Sequence, residues 1–120
     1  MFVKNLSDCE KFSANDGCDI QELLHPANDP VDIPYSIAIA SVQTGKRSYK
    51  HRLEQSEIYF ILSGSGVMHM NDKEKALQQG DVMLIPAGSV QWLENTGDYE
   101  IQFMAIVSPP WTEAGDIRLE

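Results

Sequence analysis

The sequence predicts an all-β fold, an antiparallel barrel or sandwich of many short strands. Three observations carry that expectation. Turn-forming clusters recur along the chain: Asn15-Asp16-Gly17, Asn28-Asp29-Pro30, Thr44-Gly45, Ser63-Gly64-Ser65-Gly66, Asn71-Asp72, Gln79-Gly80-Asp81, Pro86-Ala87-Gly88 and Asn95-Thr96-Gly97-Asp98. Short apolar or alternating runs lie between them, a spacing that suits a sandwich or barrel. Helix signals are scarce; residues 21–25 could make one turn, but Pro26 ends it.

Strands are expected over residues 20–24, 35–42, 48–53, 58–62, 67–70, 75–78, 82–85, 90–94 and 99–107. Residues 1–34 read as an edge strand and arm, 35–108 as the barrel core and 109–120 as a tail. The runs Ile58-Tyr59-Phe60-Ile61-Leu62 and 101–107 are apolar on both faces. A sheet with one wet face does not read this way, so one side faces the interior and the other a second layer or a partner subunit. Pro109 and Pro110 remove ladder donors, so the tail cannot continue a central strand. It is expected to pack over the barrel with Trp111 as an apolar plug.

At 120 residues the chain is one domain. Hydrophobic content of 42% and a mean hydropathy of −0.27 are those of a soluble globular protein. A net charge of −9 disfavours phosphate backbones and anionic membrane surfaces. No apolar run reaches the roughly 20 residues of a membrane-spanning helix, and the first residues lack a signal-peptide core. These features point to the cytoplasm. Cys9 and Cys18 make no disulfide framework and no zinc pair, and read as free thiols.

Two segments carry chemistry. The first holds Gly45, His51, Leu53, Glu57 and Gly64; the second holds Gly80, Pro86, Gly88, Gln91 and Asn95. In this order and spacing they resemble the two motifs of the cupin superfamily, and the resemblance spans roughly residues 35 to 110. It implies an antiparallel double-stranded β-helix, or jelly-roll barrel, with a small-molecule pocket. It also implies that His51, Glu57 and the residues at positions 53 and 91 converge on one divalent metal inside the barrel. Leu53 and Gln91 stand where the family has histidines. Leu53 cannot bind a metal, and Gln91 offers only a neutral amide oxygen. The implied ligand set is therefore His51, Glu57 and Gln91, for Mn, Fe, Ni or Zn, held more weakly than by three histidines and a carboxylate. Gln55 is a further oxygen donor by position, and Leu53, Gln55 and Tyr59 are expected to line the pocket. Small relatives of this kind pair as homodimers.

A second reading stands beside the first: His51, Glu57 and Gln91 form a metal-free polar pocket floor, hydrogen-bonded to one another and to an organic ligand. His51 and Glu57 could then act as general acid and base without a metal. Three functions follow: a metal-dependent, isomerase-like enzyme acting on a sugar or other small polar substrate; a non-catalytic ligand-binding or sensor protein; and, least supported by the ligand set, an Fe(II) dioxygenase.

Elsewhere the bland readings lead. His69 reads as an edge or outward histidine and His25 as a surface or loop residue. Met68, Met70, Met83 and Met104 read as core or pocket lining. Tyr59, Phe60, Trp92 and Phe103 read as structural, although Tyr59 shares strand parity with Glu57. Lys46, Arg47, Lys50 and Arg52 form a solvated strand face.

Overall fold

The structure, a computed structural model, describes residues 1–14 and 16–120; Asn15 of the expected Asn15-Asp16-Gly17 turn lies outside the described residues. Among the described residues, eleven strands follow a short 3-10 turn (Leu6–Asp8): β1 (Lys11–Ser13), β2 (Asp19–Leu24), β3 (Ser36–Val42), β4 (His51–Leu53), β5 (Ser56–Ser63), β6 (Ser65–Met70), β7 (Lys73–Gln78), β8 (Val82–Ile85), β9 (Val90–Glu94), β10 (Ile101–Ser108) and β11 (Asp116–Arg118). They form two antiparallel sheets, ordered β1-β2-β3-β10-β5-β8 and β11-β4-β9-β6-β7. This is the jelly-roll barrel that the resemblance implies.

The core lies between the sheets. Along β10, Ile101, Phe103, Ala105 and Val107 are buried while the alternate residues are not, as a period of two requires. β5 does the same with Tyr59 and Ile61, and register sets Phe103 opposite Ile61 and Ala105 opposite Tyr59. The Tyr59 and Phe103 rings meet at 4.3 Å between centroids. Met68, Ile85 and Leu93 belong to the same cluster, with Met70 and Met83 packed against it.

The motif glycine Gly64 turns β5 into β6 with φ +85. A Cβ there would also stand 2.6 Å from the Glu100 carbonyl oxygen, so both backbone and space call for glycine. The motif asparagine is structural. Buried Asn95 donates to Val42 O (2.9 Å) and Tyr99 O (2.8 Å) and accepts from Gly97 N (3.0 Å).

Residues 21–25 form no helical turn. Asp19–Leu24 is a strand paired on both sides, with β1 and β3, because the ladder satisfies backbone groups that one isolated turn would leave open. The tail does more than plug the barrel. It leaves β10 at Ser108, crosses over as an irregular segment and returns as β11 on the edge of the second sheet, paired with β4. His25 is a further correction. It is buried rather than on a surface loop, and its Nε2 lies 2.7 Å from Trp111 O, which ties the N-terminal arm to the tail. Both cysteines are free thiols, and Cys18 belongs to the core.

Candidate functional site

His51 and Gln91 are directly opposite one another on β4 and β9, so their side chains share the inner face. Glu57, on β5, faces them from the other sheet. His51, Leu53 and Glu57 lie in the wall of a cavity of about 480 Å³, whose apolar surface includes Ile20, Ile37, Ala105 and Val107. Register then explains a residue that local sequence did not reveal. Asp116 pairs with Leu53 and Arg118 with His51, so Asp116 is the diagonal neighbour of His51. Its Oδ1 lies 3.1 Å from His51 Nδ1, while its Oδ2 accepts from Trp111 Nε1 at 3.1 Å. On the other side of the ring, His51 Nε2 is 3.7 Å from Asp16 Oδ2.

Behind Glu57 runs a buried polar chain. Tyr59 OH donates to Gln91 Oε1 at 3.3 Å, and Gln91 Nε2 donates to Glu57 Oε1 at 3.2 Å. The second Glu57 oxygen accepts no hydrogen bond among the described residues. Gln91 is wholly buried and does not reach the cavity wall; Tyr59 stands behind it in the core, not at the pocket surface. Gln55 is turned away from the cavity altogether. Its amide nitrogen donates to Pro110 O (3.3 Å) and Thr112 Oγ1 (3.0 Å), because the tail offers acceptors beside the β4–β5 turn. Among the described residues, Leu53 stands in the cavity wall, and Gln55 and Tyr59 do not.

The electrostatics follow from burial. Burial pushes the Glu57 carboxyl up from the ordinary 4.5 to about 7, against the opposing pull of His51 and the Gln91 amide. Burial also disfavours charge on His51. The Asp116 hydrogen bond and the charges of Asp16, Asp116 and Glu57 outweigh it, so His51 lies above its usual value. Glu57 has thus moved into the range of an imidazole. The Tyr59 hydroxyl is pushed well up, by burial first and the Glu57 charge second, and stays a neutral donor.

These residues do not fit the divalent metal that the resemblance implies. Leu53 contributes no donor. Gln91 has both amide atoms engaged and lies behind Glu57. Asp116 holds Nδ1 of the one histidine. Only His51 and Glu57 remain, fewer than the three or four protein ligands of a stable site. Among the described residues, no group of three His, Cys, Asp and Glu side chains is arranged to hold a metal ion. The donor set is instead that of a hydrogen-bonded polar network.

The other candidates lie outside the cavity. His69 stacks on Trp92 on the barrel exterior, with ring centroids 4.3 Å apart, and lies 3.3 Å from Glu94 Oε1. Arg47 pairs with Glu120 at 2.8 Å, and Lys50 Nζ sits 4.8 Å from the Trp92 centroid. Asp116, Asp16, Glu22, Glu113 and Trp111 are the site residues that sequence reasoning did not assign to the pocket. Tail and arm carry no periodic pattern that would have marked them.

Comparison with known proteins agrees with this architecture. The chain is 32% identical over 110 residues to an uncharacterized protein of Methanocaldococcus jannaschii, covering 91% of this chain and 87% of that one. It is 41% identical over 59 residues to an oxalate-binding protein of Thermotoga maritima, covering 49% and 48%. Among solved structures, a predicted oxalate decarboxylase of Thermotoga maritima superposes with a TM-score of 0.76 at 27% identity, covering 90% of this chain and 99% of that one. Residues 38–107 match the cupin domain model, and with two antiparallel sheets closing over His51 and Glu57, the chain belongs to the cupin domain family.

Proposed function

We propose that this cupin binds a small polar organic molecule in its barrel cavity and that His51 and Glu57 exchange protons with it without a divalent metal. One observation carries the reading. His51 and Glu57 both face the cavity, and each presents an atom, His51 Nε2 and the second Glu57 oxygen, with no hydrogen bond among the described residues. A carboxyl near 7 beside an imidazole matches the operating range of general acid–base catalysis. Asp116 fixes the proton on Nδ1 and orients the ring, as the third group of a catalytic triad does. Proton transfer between neighbouring carbons of a hydroxy-carbonyl compound, the step of a sugar isomerase, lies within reach of such a pair.

Binding without turnover is the second reading. The carboxylates on both sides of His51 favour its charged form, which suits a hydrogen-bond anchor better than a base. We also propose that the chain works as a homodimer, with the outer face of the six-stranded sheet against its copy.

The test is elemental mass spectrometry on purified protein incubated with Mn, Fe, Ni and Zn, alongside histidine NMR during a screen of small polar compounds. The expected result is substoichiometric metal, unchanged in His51→Ala, with ligand-dependent shifts of the His51 ring. Near-stoichiometric metal that is lost in His51→Ala would overturn the metal-free reading. Turnover of a bound compound that is abolished in Glu57→Gln separates the enzyme from the binding protein.

A further inference from the structure

We infer that the cavity selects an organic cation, a compact body carrying an ammonium group, over neutral and anionic molecules of the same size. The inference rests on the small-molecule pocket proposed above and narrows its ligand class.

The cavity wall carries four carboxylates, Glu22, Glu57, Glu113 and Asp116, against two basic groups, His51 and Arg118. Both basic groups already have acidic or aromatic neighbours. The Arg118 guanidinium lies 3.6 Å from the Tyr49 ring centroid, and its Nε donates to Glu120 O at 2.6 Å. His51 sits between Asp116 and Asp16. Each therefore has its charge partly countered by an acidic or aromatic neighbour, although His51 Nε2 keeps a donor position toward the cavity.

The acidic groups are differently placed. Glu57 is only 7% exposed, and one of its oxygens faces the cavity with no hydrogen bond among the described residues. A buried acceptor of that kind calls for a donor, which a ligand hydroxyl supplies, while the ammonium beside it supplies the charge. Glu113 stands exposed on the tail side of the same wall, where a carboxylate adds to the field at the entrance without desolvation cost. Phe12 and Trp111 border the space, and aromatic rings beside carboxylates are the surroundings in which organic cations are held. The apolar surface of Ile20, Ile37, Leu53 and Val107 suits a hydrocarbon body. A walled cleft with one sign of excess charge concentrates ions of the other sign, and the chain as a whole carries a net −9. A dianion such as oxalate, which the name of the Thermotoga maritima relative gives as its ligand, would meet four acidic groups against two basic ones whose charge neighbouring groups already counter.

Three probes test the inference on the full chain by calorimetry and NMR: choline, its neutral isostere 3,3-dimethylbutan-1-ol, and oxalate. Choline is expected to bind at least about tenfold more tightly than the isostere, with shifts at His51 and Trp111 and no oxalate binding. Glu113→Gln, an exposed substitution that leaves the core intact, should weaken choline and leave the isostere unchanged. Equal or tighter binding of the isostere or of oxalate at the same resonances would overturn the cation inference and leave the pocket reading standing. Failure of all three to shift any cavity resonance at millimolar concentration would overturn the inference and count against the pocket itself.

Discussion

Glu57 shows at the scale of one residue how burial becomes chemistry. Its carboxyl holds a proton up to about 7 in the folded chain, against an ordinary value of 4.5. A raised folded value means that its contribution to stability is complete below the unfolded value and is lost as pH climbs through the folded one. His51, also raised, has the same sign. The fold should therefore weaken as pH rises from about 4.5 through about 7, where the Glu57 contribution is lost. Glu57→Gln keeps an acceptor for Gln91 Nε2 and cannot ionise. Urea unfolding at pH 5 and pH 8 should show the variant gaining about 2–3 kcal/mol on the wild type between those two conditions. A difference that stays constant with pH would contradict the burial of this carboxyl. The residue scale also explains why Asp116 matters. Burial pulls His51 down, the Asp116 hydrogen bond is the largest of the effects that oppose it, and the same bond specifies the tautomer.

At the scale of elements, the tail from Ser108 to Arg118 makes the site. It is tied at three places: Trp111 N to Ser36 Oγ at 3.0 Å and Trp111 O to His25, Gln55 to Pro110 and Thr112, and β11 to β4. These ties deliver Asp116 to His51 and Trp111 to the cavity. Gly115 is the tightest point, because a Cβ there would lie 2.6 Å from Gln55 Oε1 and 2.9 Å from Thr112 Oγ1. Gly115→Ala should cost about 1–3 kcal/mol in urea unfolding and speed hydrogen exchange of the amides in 116–118. A variant as stable and as protected as wild type would show the tail to be looser than this packing requires. Trp111 Nε1 holding Asp116 adds an aromatic brace that the simple plug did not anticipate.

Over the whole molecule, one surface stands out. Register aligns Ile58 with Leu84 and Ile106, and Phe60 with Val82 and Met104. These side chains share the outer face of the six-stranded sheet, with Phe60 40%, Val82 69% and Leu84 63% exposed. β8 is also that sheet's edge, with a free ladder side. A two-fold pairing sets such a self-matching stripe against its own copy and keeps charge away from the contact. This is the support for the proposed homodimer, and it overcomes the mutual repulsion of two acidic chains only through apolar burial. Light scattering after size exclusion should give the mass of a dimer. The double variant Phe60→Glu, Leu84→Glu should give a folded monomer, since both positions are exposed and outside the core. A wild type that runs as a monomer at micromolar concentration would refute the assembly.

Much of this was determined by the sequence. Turn residues at regular intervals and runs of period two dictated strands, which are local properties set by backbone sterics and side-chain alternation over a few residues. The resemblance carried by the two motifs implied the barrel and the approach of His51 to Glu57. Tertiary structure decided the rest. Gln55 could have faced the pocket by position, and the acceptors of the tail turned it away. Gln91 and Tyr59 shared the right strand parity, yet stand behind Glu57 because the barrel's depth, not parity, determines which inward side chain meets the cavity. Asp116, 65 residues from His51, and Trp111 joined the site only when the chain end folded back onto β4. Contacts between segments so far apart have no periodic trace in the sequence; they arise from the closure of the barrel and the burial that closure creates.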